Sequence, residues 1–365
     1  MAGNIAHMII CKEALKRFAG EDLKQRNFIT DIFGNDFTDR NRLVWANLGS
    51  LAPDLFYYNE PARALWLYYA GKYLETERME PWSYHMHSVH PNVLPMKWIE
   101  ITFRDAVVKK EGYNFEDIDY KKFAFVAGFL THVATDQIIH QTANRLAGPY
   151  YRNGHNRELH REWEIRLDYH LYESFYRSKE NDIPFVKQDF SRWAYFIDPS
   201  LKAIGKSLCS YVIKNPPSLF SNFLLRPVKV LKACVRLAAH HIAEEWFAPF
   251  LQRGFVETYG SFPEENTINA SIFNLGLLLS TTRNAHPYKK AKSSYDNKYV
   301  NEVKYIDYFQ GGECLTDYER AIGEAKNYLF AFYELIQFLK ENRNLLNKAR
   351  NKFLQQVRDI DLSCP

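Results

Sequence analysis

The chain has 365 residues, 46% of them hydrophobic, which is ample for one large packed domain or two ordinary ones. Its net charge of +4 comes from 47 basic residues scattered among 43 acidic ones, which argues against a polyanion-binding surface as the organising feature. The five cysteines, Cys11, Cys209, Cys234, Cys314 and Cys364, are odd in number and contain no CxxC pair, which argues against a disulfide framework and a thiolate metal site.

The opening residues, MAGNIAHMIICKEALKRF, show no basic region ahead of an apolar core, so no secretory signal is expected and a cytoplasmic location is the default. Asn4 to Phe18 places Ile5, Met8, Ile9, Ala14, Leu15 and Phe18 at helical spacing, with Asn4 as the N-cap and His7 one turn in. Between Glu21 and Arg42 polar residues dominate, and a mixture of helix and loop is expected. The run Asn47 to Asp54, NLGSLAPD, reads as a turn because Gly49 and Pro53 punctuate it. Leu65 to Leu74 reads as a helix, and HMHSVHP then packs His85, His87 and His90 beside the helix-incompatible Pro91. Helices are expected at Trp98 to Val108 and Lys122 to Ala143, and at Asn156 to Tyr176 after the loop Gly148 to Gly154. Further on they are expected at Leu201 to Ile213, Pro227 to Phe250 and Tyr318 to Val357, with loops around one short helix between Tyr259 and Gly312. No internal repeat and no long alternating run argues for a sheet, so the fold class is all-α.

The chemistry concentrates in the N-terminal half, where nine of the twelve histidines lie between His7 and His170. The apolar helix FAFVAGFLTHVATDQIIHQ carries His132, Asp136 and His140 at four-residue spacing, which keeps them on one face as a polar stripe. Buried polar groups are costly unless paired or metal-bound, and imidazole with carboxylate is a metal-ligand set. His132 and His140 stand roughly 12 Å apart along the axis, too far to share one ion, with Asp136 one turn from each and able to bridge. The next helix repeats the pattern with His160, Glu164 and Asp168, so two polar stripes can face one site. Asp168 reads either as a group orienting His160 or as a surface residue, and His155 and His170 as loop or supporting groups. Trp45, Trp66, Trp82 and Tyr84 read as core packing rather than pocket lining, and Lys229, Lys232 and Arg236 as a solvated basic face.

Taken in order, His7, the GSLAPD run ending in Asp54, a histidine in HMHS, HxxxDxxxH and HxxxE resemble the zinc-dependent phospholipase C family, whose relatives include the single-strand-specific nucleases of fungi and plants. The likeness covers residues 1–170. It implies an all-helical domain around a three-zinc cluster: Asp54, His87, His132 and Asp136 on one zinc, and His140, His160 and Glu164 on another. Asp136 would bridge to a third zinc shared with His7 and the mature amino terminus, which removal of Met1 before Ala2 would create. His87 is favoured over His85 and His90 as the HMHS ligand. The spacing from Asp136 to His140 is shorter than the family's usual, and Leu55 stands where choline-cleaving members carry an aromatic residue.

The expected organisation is a metal domain over residues 1–178 and a helical extension of unassigned role over residues 179–365. The expected reaction is phosphoester hydrolysis by water activated on Zn2+, with Asp54 as proton acceptor and a phospholipid or other phosphoester as substrate. Peripheral contact with a membrane is compatible with that substrate, and no nucleic-acid or protein partner is evident. A nuclease or phosphomonoesterase on the same fold, or a helical scaffold with structural metals, are the alternatives.

Overall fold

The computed structural model describes residues 4–37, 39–58, 81–109, 112–150, 152, 154–175, 244–281, 308–309, 311–341 and 346–360. Eleven helices among them are numbered here in chain order. The first three are α1 (Asn4–Ala19), α2 (Leu23–Phe33) and α3 (Arg40–Leu51), followed by a 3-10 segment, Ala52–Tyr58. Then come α4 (Pro81–Ser88), α5 (Val93–Asp105), α6 (Asp117–Ala147) and α7 (Gly154–Phe175). The C-terminal set is α8 (Phe247–Tyr259), α9 (Glu265–Thr281), α10 (Glu313–Glu341) and α11 (Leu346–Gln356). The helix expected at Leu65 to Leu74, the one at Leu201 to Ile213, most of that at Pro227 to Phe250, Trp66, the basic face at Lys229 to Arg236, and Ala2 all lie outside the described residues.

Local chemistry sets the helix ends. The Asp22 carboxylate accepts the Gln25 N–H at 2.7 Å to start α2, and Gly34 at φ 73° stops it. Asp39 starts α3 in the same way, accepting the Arg42 N–H at 3.1 Å. Asp117 and Asp119 occupy the first turn of α6, where the helix dipole favours negative charge. The 31 residues of α6 span about 46 Å, and most of its side chains are buried on every face. It is the central post of the fold, packed against α1, α3, α5, α7 and α10.

The closest packing is between α3 and α6, and it corrects the reading of NLGSLAPD. Those residues form the last turns of α3 and the start of the 3-10 segment rather than a loop turn. Gly49 is there for space: a Cβ on it would lie 1.9 Å from the Phe125 carbonyl oxygen, and a Cβ on Gly128 would lie 1.9 Å from that of Ala46. The two glycines let the backbones touch, and a glycine that serves close approach has the same sequence signature as one that serves a turn. Other boundaries also move. The helix expected from Tyr318 to Val357 is two helices, α10 and α11, and the short helix expected after Tyr259 is the 17-residue α9. A two-stranded antiparallel hairpin, Val107–Lys109 with Gly112–Asn114, occupies the end of the expected helix Trp98 to Val108 and is the only sheet among the described residues.

One continuous hydrophobic core joins the two halves of the chain. Trp98 of α5 meets Phe125, Phe129 and Phe250, and Phe332 of α10 meets Phe28 and Phe123. After α11 the chain is tied back to the N-terminal half by side-chain amides. Asn92 Nδ2 donates to the Val357 carbonyl at 2.9 Å, and Gln137 Nε2 donates to that of Arg358 at 3.1 Å. The Tyr328 hydroxyl donates to Gln137 Oε1 and itself accepts the Arg358 N–H at 3.1 Å. Among the described residues no helix is long and apolar enough to cross a membrane.

Candidate metal centre

The long helix α6 presents His132, Asp136 and His140 to one face, and other elements bring their donors to it. The 3-10 segment supplies Asp54, α4 supplies His87, α1 supplies His7, and α7 supplies His160 and Glu164. All eight side chains are buried.

Main-chain carbonyls orient the two central imidazoles. His132 Nδ1 lies 2.8 Å from the Ser50 carbonyl oxygen, and His87 Nδ1 lies 2.7 Å from that of Ser83, one turn earlier in α4. A carbonyl oxygen only accepts, so in each ring Nδ1 carries the proton and Nε2 of the neutral imidazole is left with a lone pair. The two Nε2 atoms then face each other across 3.2 Å. Carboxylate oxygens close the same space: Asp54 Oδ1 is 3.3 Å from His87 Nε2, and Asp136 Oδ2 is 3.5 Å from it and 3.1 Å from His132 Nε2. Lone pairs and carboxylates converging on one point repel unless a cation sits among them. Donors bonded to zinc at about 2.0–2.1 Å in a tetrahedron stand roughly 3.3 Å apart, the spacing seen here.

Asp136 faces two ways. While Oδ2 points to the His87 and His132 side, Oδ1 lies 3.3 Å from His7 Nε2 and 3.4 Å from His140 Nε2. His7 stacks on His132 with ring centroids 3.8 Å apart and 10° between planes. Beyond His140, the His160 ring stands edge-on at 5.2 Å, with its Nε2 3.2 Å from Glu164 Oε1. Among the described residues, three sets of donor atoms, with the atoms of each set within 4.8 Å of one another, could therefore hold an ion: His7, His132 and Asp136; Asp54, His87 and His132; His140, His160 and Glu164.

The electrostatics fit a cation. Neither ring nitrogen of His7 has a hydrogen bond among the described residues, and Asp54 Oδ1 has none either. Burial pulls the His87 pKa down, but the Asp136 and Asp54 carboxylates outweigh it and raise the value to about 9. Burial pushes Asp136 up, yet His140, His132 and His7 hold it well below the usual carboxylate range. The nearby buried Cys11 thiol is pushed up to about 12 by burial, so the donor set is imidazole and carboxylate without thiolate.

A sequence model described as zinc dependent phospholipase C matches residues 6–210, more than half of the chain. The chain belongs to the zinc-dependent phospholipase C family. No curated protein and no solved structure matches it. The family match runs past the last motif residue, Glu164, and takes in every one of the eight donors.

Within this member of the zinc-dependent phospholipase C family, the three clustered histidines of α4 and its exit separate. His87 faces the donors, whereas the His85 ring packs against Trp82 and Tyr259, and the exposed His90 pairs with Asp359 at 2.9 Å. His155 is exposed, and His170 lies beside Phe309. Trp45 is core, packed on Trp246 and Phe247. Asp168 is neither on the surface nor paired with His160: its carboxylate accepts the N–H groups of Ile5 and Ala6. Those N–H groups lie in the first turn of α1, so Asp168 caps that turn from another helix. Sequence reasoning missed the carbonyls of Ser50 and Ser83, which every residue carries and no side-chain pattern reveals.

Proposed function

We propose that this protein is a zinc-dependent phosphodiesterase of phospholipase C type that cleaves the headgroup phosphoester of a phospholipid. The observation that carries the reading is the pair of Nε2 atoms of His87 and His132, 3.2 Å apart and facing two carboxylates in a buried site. Zinc bound by such residues supplies Lewis acidity toward phosphoryl oxygens and a nucleophilic water at neutral pH. His87 and His132 hold their donor atoms in place through the Ser83 and Ser50 carbonyls. Asp136 links the two sides of the cluster, and His140, His160 and Glu164 form the second group. Asp54, whose Oδ1 is free of hydrogen bonds among the described residues, accepts the proton of the attacking water.

Elemental analysis of the native protein beside Asp136→Ala tests the metal. Two or three zinc ions per chain, reduced in the variant, are expected, and no stoichiometric metal overturns the hydrolase reading. Assays on phosphatidylcholine, single-stranded DNA and a generic phosphomonoester then identify the substrate. Turnover confined to either of the latter two overturns the lipid assignment. Asp54→Asn is expected to abolish turnover with the fold retained, and unchanged turnover would remove Asp54 from the chemistry.

A further inference from the structure

Asp168 stands on α7 one turn beyond Glu164 and two beyond His160, yet it reaches none of the donor atoms. Its Oδ1 accepts the Ala6 N–H at 2.8 Å and its Oδ2 the Ile5 N–H at 3.2 Å, inside the protein. These N–H groups have no acceptor within their own helix, and a side-chain oxygen ordinarily takes them from the N-cap position of the same chain segment. Here the acceptor comes from a residue 162 positions away in sequence. The residue after Ala6 is His7, whose ring is completely buried, stacks on His132 and approaches Asp136 Oδ1 at 3.3 Å. An α-helix pinned at its first turn has little freedom to rotate or slide there.

We propose that Asp168 is a positioning residue for metal binding by His7. By gripping the two peptide N–H groups just before His7, it sets the depth and rotation of α1 so that the imidazole meets Asp136 and His132. Helix α7 thus serves two of the three donor groups, one through His160 and Glu164 and the other through this clamp. The inference rests on the metal reading of the cluster.

The experiment uses the full-length, zinc-loaded protein, its His7→Ala, Asp168→Ala and Asp168→Asn variants, and the double variant His7→Ala/Asp168→Ala. Zinc affinity is measured by competition with a chromophoric chelator, and a parallel cobalt-substituted set is read by visible absorption. His7→Ala is expected to lose one ion. Asp168→Ala should weaken that same ion about 10- to 100-fold while the others stay, and should change the same part of the cobalt spectrum as His7→Ala. Asp168→Asn keeps one acceptor oxygen and should lose less. The double variant should be no worse than His7→Ala alone, because both changes act through one ligand.

Wild-type affinities in Asp168→Ala overturn the proposal, as do losses in the double variant that add, or a His7→Ala protein that keeps every ion. If Asp168→Ala does not fold, Asp168→Asn decides alone, and unchanged affinity there overturns the proposal. Absence of stoichiometric metal in the wild type overturns the metal reading itself, a result distinct from all of these.

Discussion

His87 and His132 point their Nε2 atoms at each other across 3.2 Å, each with Nδ1 already held by a main-chain carbonyl. The arrangement needs a cation between the rings, which without metal is a proton. The His87 pKa of about 9 against an ordinary 6.5 expresses that demand. A folded-state pKa above the unfolded value stabilises the fold fully below pH 6.5, and the contribution is lost as pH rises through about 9. Metal-free protein is therefore expected to lose stability over this range, by roughly 3 kcal/mol in total. Zinc-loaded protein should behave oppositely, since protons compete with the ion as pH falls. Urea midpoints measured with and without chelator from pH 6 upward test this, and a flat or rising metal-free curve would contradict it.

The two oxygens of Asp136 serve opposite sides of the cluster, whereas Glu164 serves one. Glu164→Ala is expected to cost a single ion per chain. Asp136→Ala should disturb at least two. Zinc counted per chain after gel filtration separates these outcomes, and equal losses in the two variants would argue against a bridging carboxylate.

Gly128→Ala is expected to be severe. Its methyl would fall 1.9 Å from the Ala46 carbonyl oxygen and 2.8 Å from the Ser50 nitrogen, both backbone atoms that cannot swing aside. Overpacking costs roughly 1–3 kcal/mol, and rigid neighbours place this site at the upper end. Because the Ser50 carbonyl orients His132, zinc occupancy should fall together with the urea midpoint. A stable variant with full occupancy would show that α3 and α6 can separate without disturbing the site.

Ending the chain at Gln356 removes the carbonyls of Val357 and Arg358, which accept from the buried amides of Asn92 and Gln137. It also removes the completely buried Val357 side chain. Each buried amide left unpaired costs about 1–3 kcal/mol, so the two together give a loss of roughly 2–6 kcal/mol before the Val357 side chain is counted. Chemical denaturation measures it, and an unchanged midpoint would mean that these bonds contribute nothing net.

Much of the candidate site is legible in the one-dimensional pattern. Four-residue spacing puts His132, Asp136 and His140 on a single face whatever surrounds the helix, and the same holds for His160 and Glu164. The ordered appearance of His7, Asp54 and the HMHS run adds the remaining donors. Other features of the same residues are not legible. Gly49 looks like a turn glycine because sequence records the missing side chain and not the neighbour that requires its absence. His85, His87 and His90 carry the same ligand chemistry, and only the seating of α4 on the 3-10 segment turns His87 inward.

The sequence by itself determined an all-helical fold, the family and a set of candidate donor residues, because helical periodicity and ligand chemistry are properties of short stretches of chain. Tertiary structure alone decided which way each oxygen of Asp136 faces, that Asp168 caps a helix 162 residues before it in the chain, and that residues 357 and 358 close over Asn92 and Gln137. These relationships join groups as far as 265 residues apart. They depend on how helices pack, and that packing is set by the summed burial of the whole core rather than by any local signal.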